Sequence, residues 1–449
     1  MDTLCSRMLP CLALALAPLL ALAAPPPTTH EFLLDNGLKV IVREDHRAPL
    51  VTSQLWFKVG SADEAPGQTG LSHALEHMLY KGSSKTCPGE ASAILESLGA
   101  SENAFTGKDV TAYHQTLPKP YLGVAFELMA DLMSTAHLKP EDFASEISVI
   151  QQERRLSVED SPLDTALERL ETLAYPSSSY RTPIIGWMND LRTLNTAQLR
   201  DWYESRYAPG NATLVVVGDV TLDYVQPLAQ RYFGGLASRS LTQTVKPREL
   251  PQPGERRLIL NQPVPAPQLI MAFNVPSLAT ADTYRTAHAL SLIEMLLAGS
   301  QSARLQKHLQ HKEHVFSHVS ASYSLYSRGD TLLTLSTHLD SSHSTSPETA
   351  QIRVWDLLEE LRTTPPSPEE LERARTQLIA QRVFAQDSIM ETAQHLAALE
   401  SVGLSWQLLD QELAELKKVT PEDLRQVAEK YLIRERLSTA HVLVEKKHG

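Results

Sequence analysis

The sequence has 449 residues, of which 42% are hydrophobic and 21% charged. That is enough chain for two or three domains with ordinary globular cores, and the balance excludes both wholesale disorder and a multi-spanning membrane protein. A net charge of -12, from 41 Lys and Arg against 53 Asp and Glu, repels phosphate backbones and anionic lipid and argues against nucleic acid as a partner.

Residues 1–24 read as a secretory signal. A short segment carrying Arg7 precedes an apolar run from Leu9 to Leu22, and Ala21-Leu22-Ala23 precedes Pro25-Pro26-Pro27, so cleavage is expected near Ala23 or Ala24. A membrane anchor would need about 20 apolar residues, and this run is shorter and broken by Pro18. No stable anchor is therefore expected after cleavage, and the periplasm or an extracellular space is the expected location. Removal of Cys5 and Cys11 leaves Cys87 alone, which precludes an intramolecular disulfide and reads as a packed thiol rather than a nucleophile.

The mature chain alternates strands and helices. Phe32 to Val42, with Asn36-Gly37 at the turn, predicts a hairpin, and Leu50 to Gly60 a further strand. Helical periodicity covers 68–81, 89–98, 119–136, 141–157 and 195–207, and Leu214 to Val217 is an apolar strand. The polar, proline-bearing stretch between Ser238 and Glu255 reads as a linker, which divides the chain into domains at 25–240 and 256–449 around a linker at 241–255. The second half predicts strands at 257–260 and 268–273, helices at 282–298 and 302–311, strands at 315–325 and 330–339, several helices from 346 to 432 and a last strand at 438–445. Two stretches with one order of elements point to two similar-looking α/β domains. Because the helices come in consecutive runs, the fold class is α+β, with helices on mainly antiparallel sheets.

The chemistry concentrates in Gly70-Leu71-Ser72-His73-Ala74-Leu75-Glu76-His77. His73 and His77 are four apart in a helical pattern, so both imidazoles leave one face and can share a metal ion. Glu76 borders that face, where a carboxylate can act as a general base without being a ligand. The bland alternative is an amphipathic helix with two surface histidines. A hydrolytic zinc site needs a third protein ligand. The helix after Pro140 aligns Glu146 and Glu153, seven apart, with Val149 and Ile150, a stripe costly to bury unless its acids are paired or metal-bound.

On these residues the sequence resembles the pitrilysin or insulinase-like zinc metallopeptidases, in the subgroup similar to the mitochondrial processing peptidase. The likeness rests on His73-x-x-Glu76-His77, on Glu153 placed 76 residues later in EISVIQQERR, and on Asn103-Ala104-Phe105-Thr106 with Tyr113. It extends to the block from Tyr180 through Ile185-Gly186-Trp187 to Tyr207-Ala208-Pro209-Gly210-Asn211-Ala212-Thr213 and Val216-Val217-Gly218-Asp219. The resemblance implies one zinc ion per chain held by His73, His77 and Glu153, with Glu76 activating water. It implies Glu146 as a second acid near the site, either orienting a histidine or forming an ordinary salt bridge. It also implies two domains facing each other across a peptide-binding chamber, in which Asn103, Ala104 and Phe105 form an edge strand that binds an extended peptide by backbone hydrogen bonds.

One feature departs from the family pattern. Active single-site members carry in the second domain an arginine followed seven residues later by a tyrosine, and Gln310 and Ser317 stand at those positions here. The missing cation and phenol would stabilise an oxyanion. The expectation is therefore a zinc endopeptidase acting on peptides or unfolded proteins as the metal-bearing subunit of a heterodimer, whose partner is a second family member lacking the zinc motif. A chain weakly active alone and a noncatalytic assembly or peptide-binding subunit are the alternatives. His314 and His318, four apart in a predicted strand, would lie about 13 Å from each other, which argues against a metal there.

Overall fold

The computed structural model describes residues 28–239, 246–343 and 345–445. The predicted signal segment at 1–24 lies outside them. Among the described residues eleven strands form two sheets. The first contains β1 (Thr29–Leu33), β2 (Lys39–Glu44), β3 (Leu50–Phe57), β4 (Ser101–Thr106), β5 (Thr111–Pro118) and β6 (Ala212–Gly218) in the order β1-β2-β6-β3-β5-β4. The second contains β7 (Arg256–Gln262), β8 (Gln268–Val275), β9 (Phe316–Tyr323), β10 (Thr331–Leu339) and β11 (Leu437–Val444) in the order β7-β11-β8-β10-β9. Apart from the added β1, the two orders coincide. In each sheet the closing strand returns parallel to the opening one, β6 to β2 and β11 to β7, and every other pairing is antiparallel. The two similar halves that the order of elements points to are thus plain in the topology.

The halves exchange helices. Ile389–Ser401, from the second half, packs on β3 and β6 of the first sheet, while Pro162–Ala174, from the first, packs on β7, β8 and β11 of the second. Ile41, Trp56, Val215 and Val217 meet Leu396, Ala397 and Leu399 in one apolar cluster, and Ala166, Leu170 and Ala174 meet Ile270, Ala272, Ala440 and Val442 in another. This explains why β6 and β8 are buried along their whole length and why their sequences, ATLVVVG and QLIMAFNV, run nearly without polar interruption. A buried ion cluster joins the halves as well. Both Asp63 oxygens accept from the Arg328 guanidinium at 3.0 Å, and Asp109 lies 3.2 Å from the same group. Beside it a cavity of about 380 Å³ opens between the halves, lined by Trp56, Lys108, Tyr175 and Tyr180 on one side and Ser322 and Tyr326 on the other.

Several elements differ from the sequence expectation. The periodicity reading omits β5 and the helices Pro162–Ala174 and Leu222–Phe233. Buried Thr111 and Gln115 blur the apolar pattern of β5, and Pro227 sits inside the last helix. The expected helix at 302–311 is instead a π-type segment at Gln306–Lys312, and His314 lies ahead of β9 with φ +52°, its ring stacked on His343, rather than on the strand. Cys87 is exposed, not packed: its turn is at the surface, where its backbone N–H donates to Glu90.

Candidate metal centre

The helix Leu71–Leu79 buries Leu71, Ala74, Leu75, Met78 and Leu79 against the first sheet, which turns His73, Glu76 and His77 toward the partly open side. Its start has no side-chain cap of its own, since Gly70 occupies that position with φ +93°. Glu64 takes over, accepting from the backbone N–H groups of Gly70 and Ser72 at 2.7 Å each. Burial pushes the Glu64 carboxyl up to about 8. A Cβ on Gly70 would lie 2.7 Å from Leu191, and one on Gly186 would lie 2.5 Å from the carbonyl of Thr69. The two glycines let the Ile185-Gly186-Trp187 segment seat directly against the root of this helix.

The helix Pro140–Arg154 packs across Leu71–Leu79 and brings its acids to the histidines. The Nε2 atoms of His73 and His77 lie 3.8 and 3.7 Å from Glu153 Oε2, and one donor atom from each of the three residues falls within 4.8 Å of the others. These gaps are too long for hydrogen bonds, and tetrahedral ligands bonded at about 2.0–2.1 Å lie about 3.3–3.5 Å apart. The donor set therefore fits a small divalent cation better than it fits mutual hydrogen bonding. Burial, helped by the neighbouring His77, pushes the His73 imidazole down to about 4, so it is neutral and able to ligate at ordinary pH. Among the described residues no other group of three such side chains can hold a metal, and His314 and His318 form none.

Glu146 makes both contacts that the sequence left as alternatives. Its Oε2 lies 3.2 Å from His77 Nδ1 and its Oε1 2.6 Å from Lys81 Nζ. With Nδ1–H donating to this carboxylate, His77 keeps its Nε2 lone pair toward Glu153. Lys81 was missed in the sequence, although its place one turn beyond His77 was a usable signal. Next to Glu153, Arg154 is buried and forms a two-pronged ion pair with Glu168 at 2.8 Å, which fixes the end of the helix.

Glu76 lies beside the triad without joining it. It accepts a 2.5 Å hydrogen bond from the Thr106 hydroxyl at the end of β4, and burial raises its pKa against that bond. β4 is the edge of the first sheet, paired on one side by β5. Asn103 turns its side-chain oxygen to the N–H of Ala104 at 2.8 Å, and Phe105 packs edge-on against Trp56 with ring centres 5.2 Å apart. In the second half, the Gln310 amide donates to the carbonyl of Ser317 at 3.0 Å, so the two positions that depart from the family pattern are held against each other.

Residues 39–186 match the profile described as "Insulinase (Peptidase family M16)" and residues 193–378 the profile described as "Peptidase M16 inactive domain". The zinc protease PqqE of Helicobacter pylori is 28% identical over 295 residues, which take in 65% of this chain and 66% of that one, just under two thirds of its length. A crystal structure of a protease from Helicobacter pylori superposes with TM-score 0.87 at 24% identity, covering 93% of this chain and 99% of that one. The periplasmic protease PqqL from Escherichia coli superposes with TM-score 0.76 at 20% identity, covering 94% of this chain but 48% of PqqL.

Proposed function

The chain belongs to the insulinase family of peptidases, M16, and from that premise we propose that it is a zinc-dependent endopeptidase that cleaves extended peptides or unfolded polypeptides. The observation that carries this reading is the convergence of His73, His77 and Glu153 donors within 4.8 Å, beside a carboxylate, Glu76, that is not one of them. When bound there, zinc supplies Lewis-acid polarisation of a peptide carbonyl and makes water more acidic. The rest is the work of the chain. Glu76 takes a proton from the attacking water and returns it to the departing amine. Glu146, itself neutralised by Lys81, holds the His77 ring in the orientation that ligation needs. The free edge of β4, from Asn103 to Phe105, offers backbone groups for an extended peptide to pair with.

The reading includes a partner. Gln310 and Ser317 provide neither a cation nor a phenol for the oxyanion, and these two groups come from a second family member that lacks the zinc motif. PqqL supports this, because one PqqL chain is about twice the length matched here. Its periplasmic setting, together with the signal-like start of this sequence, supports a periplasmic or extracellular location. Among the described residues no helix is long and apolar enough to cross a membrane. A second reading, a noncatalytic assembly or peptide-binding subunit, draws on the same Gln310–Ser317 contact.

One set of measurements separates the readings. The purified protein should hold one zinc per chain by metal analysis and cleave an unfolded polypeptide in a chelator-sensitive way, more strongly with the partner identified by mass spectrometry of co-purifying proteins. Absence of bound zinc, or bound zinc without cleavage in the presence of that partner, rejects the enzyme. Full activity of the chain alone rejects the partner.

A further inference from the structure

Resting on the peptidase reading above, we propose that Thr106 is a positioning residue, whose hydroxyl holds the Glu76 carboxylate in its working orientation. Glutamate has three side-chain torsions, and the helix Leu71–Leu79 fixes only its Cα and Cβ. Among the described residues, the Thr106 hydroxyl is the hydrogen-bond donor that reaches this carboxylate, at 2.5 Å from Oε2. With Oε2 engaged, Oε1 is the oxygen left for proton transfer. A proton-transferring group must sit within hydrogen-bond reach of the proton it takes, and small misplacements are costly.

Thr106 is suited to the task because its own position is fixed from several directions. It is the last residue of β4 and pairs with Thr111 across the ladder. Its side chain is β-branched, so few χ1 values are open and the hydroxyl direction follows from the backbone. The turn that follows is closed by Gly107 N–H donating to the carbonyl of Val110 at 2.7 Å. The same turn is fastened to the segment after β3, where Ser61 and Ala62 N–H groups donate to the carbonyls of Gly107 and Lys108 at 3.1 and 2.9 Å. At its far end Asp109 accepts from the Tyr180 hydroxyl at 2.5 Å and from the Arg328 backbone N–H at 2.9 Å. The second half, which brings no ligand to the metal, thereby helps to hold the strand end on which Glu76 leans.

The test uses Thr106→Val, which removes the hydroxyl while keeping the branched shape, and Thr106→Ser, which keeps the hydroxyl. Zinc-loaded variants are assayed with the partner for kcat and KM on one peptide, alongside zinc content and thermal midpoint. Metal-free crystals of both variants report where Glu76 lies. Thr106→Val should lower kcat by about tenfold to a hundredfold with KM, zinc content and midpoint unchanged, and Thr106→Ser should stay close to wild type. In the metal-free crystals the Glu76 carboxylate should leave its place in the Val variant and keep it in the Ser variant. A Val variant with wild-type kcat, or with Glu76 unmoved, overturns the proposal. If the wild type shows no chelator-sensitive cleavage, the peptidase reading falls separately, and the metal-free crystals still decide whether Thr106 holds Glu76.

Discussion

The helices Leu71–Leu79 and Tyr284–Ala298 hold one place in the repeated topology, each following the middle strand of the shared order, β3 or β8, along the chain, yet they are put to opposite uses. The first leaves His73, Glu76 and His77 partly open and is crossed by a helix that brings two acids, Glu146 and Glu153. The second is overlaid by Pro368–Ala385, Leu408–Lys418 and Pro421–Tyr431, and buries Ala287 through Ile293 without a break. Its His288 is buried, and the Nδ1 atom meets no hydrogen-bond partner among the described residues. One backbone plan therefore carries donors for a metal only where a helix face stays uncovered beside an edge strand. Where the same face is packed over, the residues serve the core.

Five experiments would break or sharpen this contrast. Glu76→Gln should lower peptide cleavage by about a thousandfold or more while bound zinc stays at the wild-type level, measured by initial rates and metal analysis. His288→Gln, at the corresponding helix of the other half, should leave cleavage and zinc unchanged in the same assays, and a loss there would erase the distinction between the halves. Arg328→Met should cost about 3–5 kcal/mol in urea unfolding, because Asp63 and Asp109 would stay buried without their cation. An unchanged unfolding midpoint would mean that this cluster adds nothing to the apolar packing and the other ion pairs, such as Lys39–Glu400, that join the halves.

The fourth experiment concerns pH. Burial pushes His288 and His395 of the second half down to about 4 from the usual 6.5. The unfolded chain takes up protons near pH 6.5 that the folded chain refuses until about pH 4, so stability present above pH 6.5 is lost as pH falls through that window. Each histidine contributes at most about 3 kcal/mol. Glu64 and Glu294, whose carboxyls burial raises to about 8 and about 7, act in the opposite sense, so the histidine effect is read as a difference: the thermal midpoint of the wild type minus that of His288→Gln should shrink as pH falls from 7 to 4. Among the variants expected to change a measured property, the smallest effect is expected from Lys81→Met, which leaves Glu146 without its cation and should weaken zinc binding about tenfold to a hundredfold in a chelator competition. Unaltered affinity would reduce the Lys81–Glu146 pair to a surface salt bridge.

Most of the first half's chemistry was legible because it is local. Residues four apart on a helix must share a face, so His73 and His77 announce a possible metal pair without any tertiary knowledge. The placing of Glu153 came from the family resemblance, and the structure brings it within 4 Å of both imidazoles. The role of Glu64 was not legible, because a carboxylate that caps a helix from outside carries no periodic signal. Likewise β5 was missed because its burial comes from neighbours on both sides rather than from an apolar pattern of its own.

By itself the sequence determined the alternation of strands and helices, the division into two similar halves and the pair of histidines with its adjacent acid, since all of these are written in spacings of a few residues. Only the tertiary structure decided that each half lends a helix to the other's sheet, that Glu146 bridges His77 and Lys81, and that the Thr106 hydroxyl meets Glu76. Those contacts join residues from 30 to more than 200 positions apart, and nothing in local periodicity encodes which distant surfaces will be pressed together when the apolar faces are buried.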